Sequence, residues 1–484
     1  MTRDSGQGFV TRCSVRIPTI GKLLYLSIIL LCVGCRATPV FSVPTTNTPA
    51  TCITPAGDKK LLVGLAVSGG GSRAALFAAG AFEALGRIAI GPQKQSLLEQ
   101  VSYISSVSGG SMASSYFALK KPSRDVPVLN QSGEISADYQ RFFKSFKESM
   151  GKDYEGLLLW RQLAYFRWFN PSWTARSLAE GLSENYLGEA TFTDLAQREA
   201  QGDSPRLLIN TTLYNDGRRF LLSTLPRENS QFDLMGELEH FQKAMSLEKQ
   251  ALDLMRVRWD SLISMVPEDL GINACSVRIA GAVAASMSFP PIIGPITLGD
   301  AKKERYWHIG DGGLSDNTGG ESLLMVFLKQ LQEDRNRRAI MILVDSSFPF
   351  SVGGEVLDHR KEGFSLLNYD YSRIPSIMEE RSLAYRGLFL SIGQGIGLLP
   401  GPERIRVIRL RHTDAVWKDD LSDLPDSCKK QRIDWKSPKD VGKHLSAIVT
   451  RLWLESTCDQ DLILAAAAKV VAASESIIKA FLER

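Results

Sequence analysis

Two glycine-rich turns near the start of the chain constrain its fold more than any other feature: Ser68-Gly69-Gly70-Gly71-Ser72-Arg73 and Ser106-Val107-Ser108-Gly109-Gly110. Each follows a short apolar run, residues 61–67 in the first case and 101–105 in the second, of a length that suits a buried strand. Each precedes a stretch of small residues that reads as a helix, Ala74-Ala75-Leu76-Phe77-Ala78-Ala79 and Met112-Ala113-Ser114-Ser115-Tyr116. Strand, tight turn and helix repeated twice predict an α/β fold, a mainly parallel sheet with helices on both faces. The spacing predicts strand 61–67, helix 73–87, strand 101–106, helix 110–119 and, after a long interruption, strand 206–214. Residues at the carboxyl ends of such strands are where an open α/β sheet places its chemistry.

The second turn suits a nucleophile. In a strand-to-helix elbow the side chain at the sharp turn stands at the top of the sheet, and the helix behind it offers unpaired N–H groups and the positive end of a dipole. Ser108 occupies that position, and the glycines around it, Gly110 among them, let substrate approach the backbone. The first turn supplies successive backbone N–H groups able to hold an oxyanion. It reads otherwise as an ordinary tight βα turn. A P-loop is excluded, because no Gly-Lys-Ser/Thr ending follows.

A third motif lies about 200 residues further on, Trp307-His308-Ile309-Gly310-Asp311-Gly312-Gly313-Leu314-Ser315-Asp316-Asn317. Gly-Gly-Gly-x-Arg, small-x-Ser-x-Gly and Asp-Gly-Gly with Asn six residues after the Asp, in that order, resemble the patatin-like phospholipase family. Arg206-Leu207-Leu208-Ile209-Asn210, Phe220-Leu221-Leu222-Ser223 and Ala284-Ala285-Ser286-Met287-Ser288-Phe289-Pro290-Pro291 match it further, so that the resemblance covers roughly residues 61–350. It implies a serine acyl hydrolase of phospholipase A or lysophospholipase type, with Ser108 as nucleophile and Asp311 as base. It also implies an oxyanion hole around Gly69, Gly70, Gly71 and Arg73, with Gly110, Gly312, Gly313 and Asn317 in support. The implied partners are a phospholipid or lysophospholipid substrate and a membrane surface. Three positions depart from the family pattern: Ser68 stands where Asp is frequent, Ser106 where the elbow has its first glycine, and Ala74 where glycine is common.

A free Asp, with a pKa of about 3.9, is a feeble base toward a hydroxyl, so such a site must be dry enough to raise its basicity. Asp316, in the same loop, and Asp345, ending the apolar run 339–344, compete with Asp311 for that role. Arg73 is expected to steady the oxyanion turn or meet a phosphate head group, Asn317 to bond its own loop, and His308 to be a core histidine. Two other functional readings stay open. His412 and His444 follow Ser108 and Asp311 in an order that suits a Ser-His-Asp esterase. A lipid-binding envelope lipoprotein with a vestigial site is the third reading.

The chain of 484 residues has an ordinary globular composition, 44% hydrophobic and 23% charged, and its formal net charge of +4 is too slight to imply nucleic acid. Cysteine and histidine spacings match no metal site, so no metal and no cofactor are expected. Residues 1–35 read as a lipoprotein-type signal: Arg12, Arg16 and Lys22 precede a short apolar run, and Leu31-Cys32-Val33-Gly34-Cys35 resembles a lipidation site at Cys35. This predicts a membrane-anchored protein of the cell envelope, with a periplasmic or secreted form as the alternative. Residues 36–58 read as a flexible tether and 59–350 as the catalytic domain, with helical insertions at about 124–200 and 228–270. A strand is expected at 275–279, and 351–484 form a peripheral region with C-terminal helices. The first insertion is rich in aromatics interleaved with Arg161 and Arg167, as in a helical layer packed on the sheet or a cap touching lipid; the second is polar and expected to be exposed. Cys52, Cys275, Cys428 and Cys458 are even in number, and of three pairings the one joining Cys428 to Cys458 is favoured because these bracket a helical segment. No pattern fixes an oligomeric state.

Overall fold

The computed structural model describes residues 40–42, 51–165, 167, 171–245, 259, 262–290, 293–300, 305–347, 373–431 and 435–484. Residues 1–35, read as a signal segment that includes Cys35, and the aromatics Phe166, Trp168 and Phe169 lie outside them. A nine-stranded sheet organises the chain. Its strands are β1 (Val40–Ser42), β2 (Leu61–Val67), β3 (Val101–Val107), β4 (Arg206–Leu213), β5 (Arg219–Leu222), β6 (Ile296–Asp300), β7 (Arg305–Asp311), β8 (Arg338–Asp345) and β9 (Ile405–Arg411). They lie in the order β1-β6-β7-β4-β3-β2-β8-β9, with β5 paired to β4. The run β4-β3-β2-β8-β9 is parallel throughout. β7 is antiparallel to β4 and to β6. The fold is thus the expected mainly parallel α/β sheet, with an antiparallel flank.

The strands form where they do because they are continuous apolar runs rather than alternating ones. Leu62 through Val67 are all buried, which a sheet covered on both faces requires. One face carries α1 (Gly71–Gly86), α2 (Gly109–Lys120), α3 (Ala137–Met150) and the long C-terminal α12 (Thr457–Leu482) over a core that includes Phe77, Phe82, Phe117 and Ile463. α1 and α12 approach closely because Gly80 faces Ala467 and Leu464. The other face carries α9 (Gly320–Glu333), whose Leu323, Phe327 and Leu328 cover Leu62 and Ala66. Gly64 is the strand position that makes room, since a Cβ there would lie 2.5 Å from the Phe327 ring.

The aromatic insertion divides between its two readings. Phe142, Phe143 and Phe146 of α3 are core, with Tyr116 stacked on Phe146 at 4.8 Å and Phe117 edge-on to Phe142 at 5.9 Å. On α4 (Tyr154–Ala164), Leu159 and Trp160 are instead 57% and 68% exposed. The remaining helices used below are α5 (Pro171–Leu182), α6 (Phe192–Gln201), α7 (Leu234–Met245), α8 (Ile279–Ser286), α10 (Arg373–Gly395) and α11 (Pro438–Ala447).

Several expectations are corrected. Residues 275–279 form no strand: the Asn273 side chain accepts from the Cys275 N–H, a short 3-10 turn covers Ala274–Ser276, and α8 starts at Ile279. Cys275 is disulfide-bonded to Cys52, and the second bridge is the favoured Cys428–Cys458. The segment 36–58 is therefore not a free tether throughout, since β1 pairs with β6 and Cys52 is buried at its bridge. The polar insertion is not wholly exposed either: Phe232, Leu234, Met235 and Trp259 pack into the core beneath α9.

Candidate active site

β4 brings the three sequence motifs together. Val107 lies opposite Asn210 on one side of it, and Asp311 lies opposite Thr211 on the other. Next along the sheet, Val67 pairs with Ser106. Ser108, the Gly69–Gly71 turn and Asp311 therefore emerge at one level of the sheet. Asp311 arrives from the opposite chain direction to the other two, because β7 is antiparallel.

At the elbow Ser108 adopts φ 51°, ψ −124°, a conformation rare for a residue with a side chain and one that holds Oγ outward from the turn. The surroundings over-determine it. The Ser108 N–H donates to Ser286 Oγ at 2.9 Å, and Ser286 Oγ donates to the Asn210 carbonyl at 2.7 Å. Ser111 Oγ lies 3.0 Å from Ser286 Oγ and donates to Ser106 Oγ. Ser106, the departure from glycine, is thus absorbed into a buried hydroxyl network under the elbow. The two turns touch backbone to backbone. A Cβ on Gly110 would sit 2.5 Å from the Ser68 carbonyl oxygen, and one on Gly109 would collide with the Gly71 carbonyl. Ser68 also finds a use, accepting the Ser346 N–H at 2.8 Å.

Asp311 is fully buried, and burial pushes its carboxyl up to about 7, against the lowering effect of the Gly313 N–H and of the neighbouring Ser108 hydroxyl. The Gly313 N–H donates to Asp311 Oδ1 at 2.7 Å. The backbone of Asp311 is pinned on both sides, its N–H to Ser288 O at 3.0 Å and its carbonyl by Thr212 Oγ1 at 2.8 Å. Gly312 is required because a Cβ would strike the Asn210 carbonyl. The competing aspartates are committed elsewhere. Burial alone would raise both, but Arg386 and the Glu321 N–H hold Asp316 below the ordinary carboxylate range, and Arg409 with Ser347 do the same for Asp345. Asp316 meets Arg386 at 2.7 Å and Asp345 meets Arg409 at 2.6 Å.

The glycine turn divides its labour. The Gly69 N–H donates to the Asn317 carbonyl at 2.8 Å, so Gly69 ties the turn down and does not face substrate. Gly70 (φ 139°) and Gly71 (φ 60°) line the cavity, and their N–H groups make no hydrogen bond among the described residues. Arg73 is not an oxyanion donor: its guanidinium is fully buried and donates to the carbonyls of Ser346 (3.0 Å) and Ile448 and to Thr450 Oγ1 (3.1 Å). It steadies the turn from behind.

The cavity over Ser108 has a volume of about 610 Å³ and mainly apolar walls, with Leu158 and Leu159 of α4, Met287, Phe289, Ile293 and Leu452 around Ser108 and Asp311. Residues read as peripheral contribute to it, namely Glu379 of α10 and Thr450, Arg451 and Leu452. Glu379 had no signal in the sequence. Its Oε2 accepts from Asn317 Nδ2 at 3.0 Å, and burial together with Asp345 raises its carboxyl. Ser286 stood within the matched 284–291 stretch and was legible only as part of it.

Neither candidate histidine lines this cavity. His412 is buried edge-on against Phe77, neither ring nitrogen makes a hydrogen bond among the described residues, and burial and the Arg73 charge push it well below the ordinary histidine range. His444 Nε2 pairs with Asp459 at 2.7 Å between α11 and α12. His308 is exposed on β7, not in the core, with Nδ1 3.0 Å from Thr297 Oγ1. Among the described residues no cluster of His, Cys, Asp and Glu could hold a metal ion.

A family profile described as Patatin-like phospholipase matches residues 65–324. No curated protein sequence matches the chain. Among solved structures the chain is similar to human GIVD cytosolic phospholipase A2, at 12% identity and TM-score 0.44, covering 87% of this chain and 60% of that one. That enzyme in complex with methyl gamma-linolenyl fluorophosphonate is similar at 13% identity and TM-score 0.42, over 87% of this chain and 58% of that one. The chain thus spans about three fifths of the length of these neighbours.

Proposed function

From the premise that this chain belongs to the patatin-like phospholipase family, we propose that it is a serine acyl hydrolase that cleaves carboxylic esters of membrane lipids through an acyl-enzyme on Ser108. One observation carries the reading: a strained serine and a buried carboxylate of raised basicity share the wall of one apolar cavity, with two backbone N–H groups beside them that make no hydrogen bond among the described residues.

Ser108 Oγ attacks the ester carbonyl while Asp311 takes its proton, and the oxyanion is met by the N–H groups of Gly70 and Gly71 at the positive end of α1. Each such donor is worth about 3–4 kcal/mol in acyl transfer. Asp311 returns the proton to the leaving alkoxide; water, deprotonated by the same carboxylate, then attacks the acyl-enzyme and releases the fatty acid, and the proton passes from Asp311 back to Ser108 Oγ. Burial makes this workable, because a carboxyl near 7 is a far better match to a serine hydroxyl than one near 4. The apolar walls suit an acyl chain.

Phospholipid and lysophospholipid vesicles are the substrates to test, with fatty-acid release as the measure. Ser108→Ala is expected to abolish release and labelling by a fluorophosphonate while leaving the fold intact. A folded parent protein that stays unlabelled at Ser108 would shift the reading to a vestigial, lipid-binding site. For location, the proposal is a lipid anchor on Cys35; among the described residues no helix is long and apolar enough to cross a membrane.

A further inference from the structure

A second cavity, of about 710 Å³, opens at the other end of the sheet, where β2, β3 and β4 begin. Ser102 and Tyr103 on its wall precede Ser108 along β3, which puts it about 20 Å from the candidate nucleophile at ~3.3 Å per strand residue. Four cations, Lys59, Lys94, Lys121 and Arg124, stand around it. None makes an ion pair among the described residues; the Lys121 ammonium reaches only the carbonyl of its neighbour Pro122, at 3.4 Å.

The carboxylates nearby are hydrogen-bonded to backbone or hydroxyl groups and none is ion-paired with these four cations among the described residues. Glu99 accepts the N–H groups of Ser96 and Val128 at 2.8 and 3.0 Å, capping the short helix behind the cavity. Glu199 accepts from Thr224 Oγ1 and from the Leu207 N–H, and burial raises its carboxyl. Asp203 accepts the backbone N–H of Arg124 at 2.7 Å. Arg206, the fifth cation, spends its guanidinium on the carbonyls of Thr54, Pro55 and Thr224. What remains is an excess of positive charge facing one half-enclosed space. Burial and the Arg124 charge lower the Lys59 amine, and burial followed by Arg198 brings Lys121 down to about 8. Glu99 and Asp203 offset part of this charge at Lys121, but the cations outnumber them, and such a surplus is better matched by an anion in the cavity.

We propose that this cavity binds a small multivalent oxyanion, a molecule carrying two phosphate or carboxylate groups, held among Lys59, Lys94, Lys121 and Arg124. Its volume falls within the range of small-molecule sites, and Leu62, Leu98 and Val101 give it an apolar floor for the ligand's carbon skeleton. Arg124 supplies a planar fork for one anionic group, and the lysines act as point charges for the other. The same chemistry occurs in a soluble diphosphate and in an anionic lipid head group. This site does not depend on the acyl-hydrolase reading.

The full chain is titrated with inorganic pyrophosphate by calorimetry at pH 8 and low ionic strength. Saturable one-to-one binding is expected. Lys121→Met and Arg124→Gln are each expected to weaken binding at least 10-fold, while Lys121→Arg retains it and all three leave ester turnover unchanged. If Lys121→Met fails to fold, the exposed Arg124→Gln and the charge-keeping Lys121→Arg still decide the matter. Flotation with phosphatidylglycerol against phosphatidylcholine vesicles separates the sources: vesicle binding lost in Arg124→Gln assigns a lipid head group, and vesicle binding unchanged in that variant assigns a soluble ligand. No saturable binding of pyrophosphate or of anionic vesicles, or binding indifferent to both substitutions, overturns the proposal.

Discussion

Replacing Asp311 with asparagine is expected to make the protein more stable as it makes it inactive, and only above a particular pH. Asparagine keeps the contacts, since its Oδ1 can accept the Gly313 N–H and its Nδ2 can donate to Ser108 Oγ. What it removes is an ionisation that the folded state resists. The carboxyl moves from an ordinary 3.8 to about 7 on folding, and each pKa unit is worth about 1.4 kcal/mol, so the buried charge costs about 4 kcal/mol where both states are ionised. The sign follows from proton counts. Between pH 4 and 7 the folded parent holds a proton that the unfolded chain has lost, so stability falls as pH rises across that window. Below pH 4 both states are protonated and the group contributes nothing. Unfolding free energies from urea titrations of parent and Asp311→Asn, measured at pH 4 and pH 8 with disulfides intact, should therefore nearly coincide at the lower pH and differ by about 4 kcal/mol in favour of the variant at the higher. A stability difference that is the same at both pH values would refute the claim that Asp311 is buried as an acid of raised pKa.

If Asp311 is the base, kcat/KM should rise through a single ionisation near pH 7 and level off above it; a profile flat from pH 5 to 8 would exclude it. Gly109→Ala drives a methyl into the Gly71 carbonyl and must part the two turns, so turnover should fall about 100-fold or more with Ser108 still present, as read by vesicle hydrolysis. His412→Phe and His444→Gln should leave fluorophosphonate labelling of Ser108 at the parent rate, and loss of labelling in either would restore a Ser-His-Asp scheme. Cys35→Ser should release the protein from membranes or block processing at that residue; unchanged association with the same mature N-terminus would refute the lipid anchor.

What the sequence made legible was local. The Ser108 elbow could be read because the tight turn and the small residues behind it are contiguous. Asp311 could be read because its two following glycines mark a loop forced against backbone. The division of work within Gly69–Gly71 could not, since it depends on the Asn317 carbonyl taking the Gly69 N–H across about 250 residues. Arg73 was expected near the oxyanion because it follows the turn, but its partners at 346, 448 and 450 come from segments with no motif of their own. Glu379 is one acidic residue among many on a helix, and only tertiary packing sets it beside Asn317. The residues 275–279 alternate like a strand, yet the Asn273 side-chain bond and the bridge to Cys52 fix a turn instead.

Because Ser108 and Asp311 are both referenced to β4, that strand acts as a ruler between them. The chain that joins the two residues is long and carries the five helices α2 to α6 before β4 and α7 and α8 after it, but none of that length enters their separation. Such a layout is permissive to growth. A foreign domain spliced into the exposed turn at Asp216 and Gly217 would lengthen the path from Ser108 to Asp311 without altering which residues of β3, β4 and β7 face one another. A chain nicked at the same turn should keep its two halves registered through the sheet, so lineages built on this arrangement are free to acquire new surfaces by insertion while these two residues stay put.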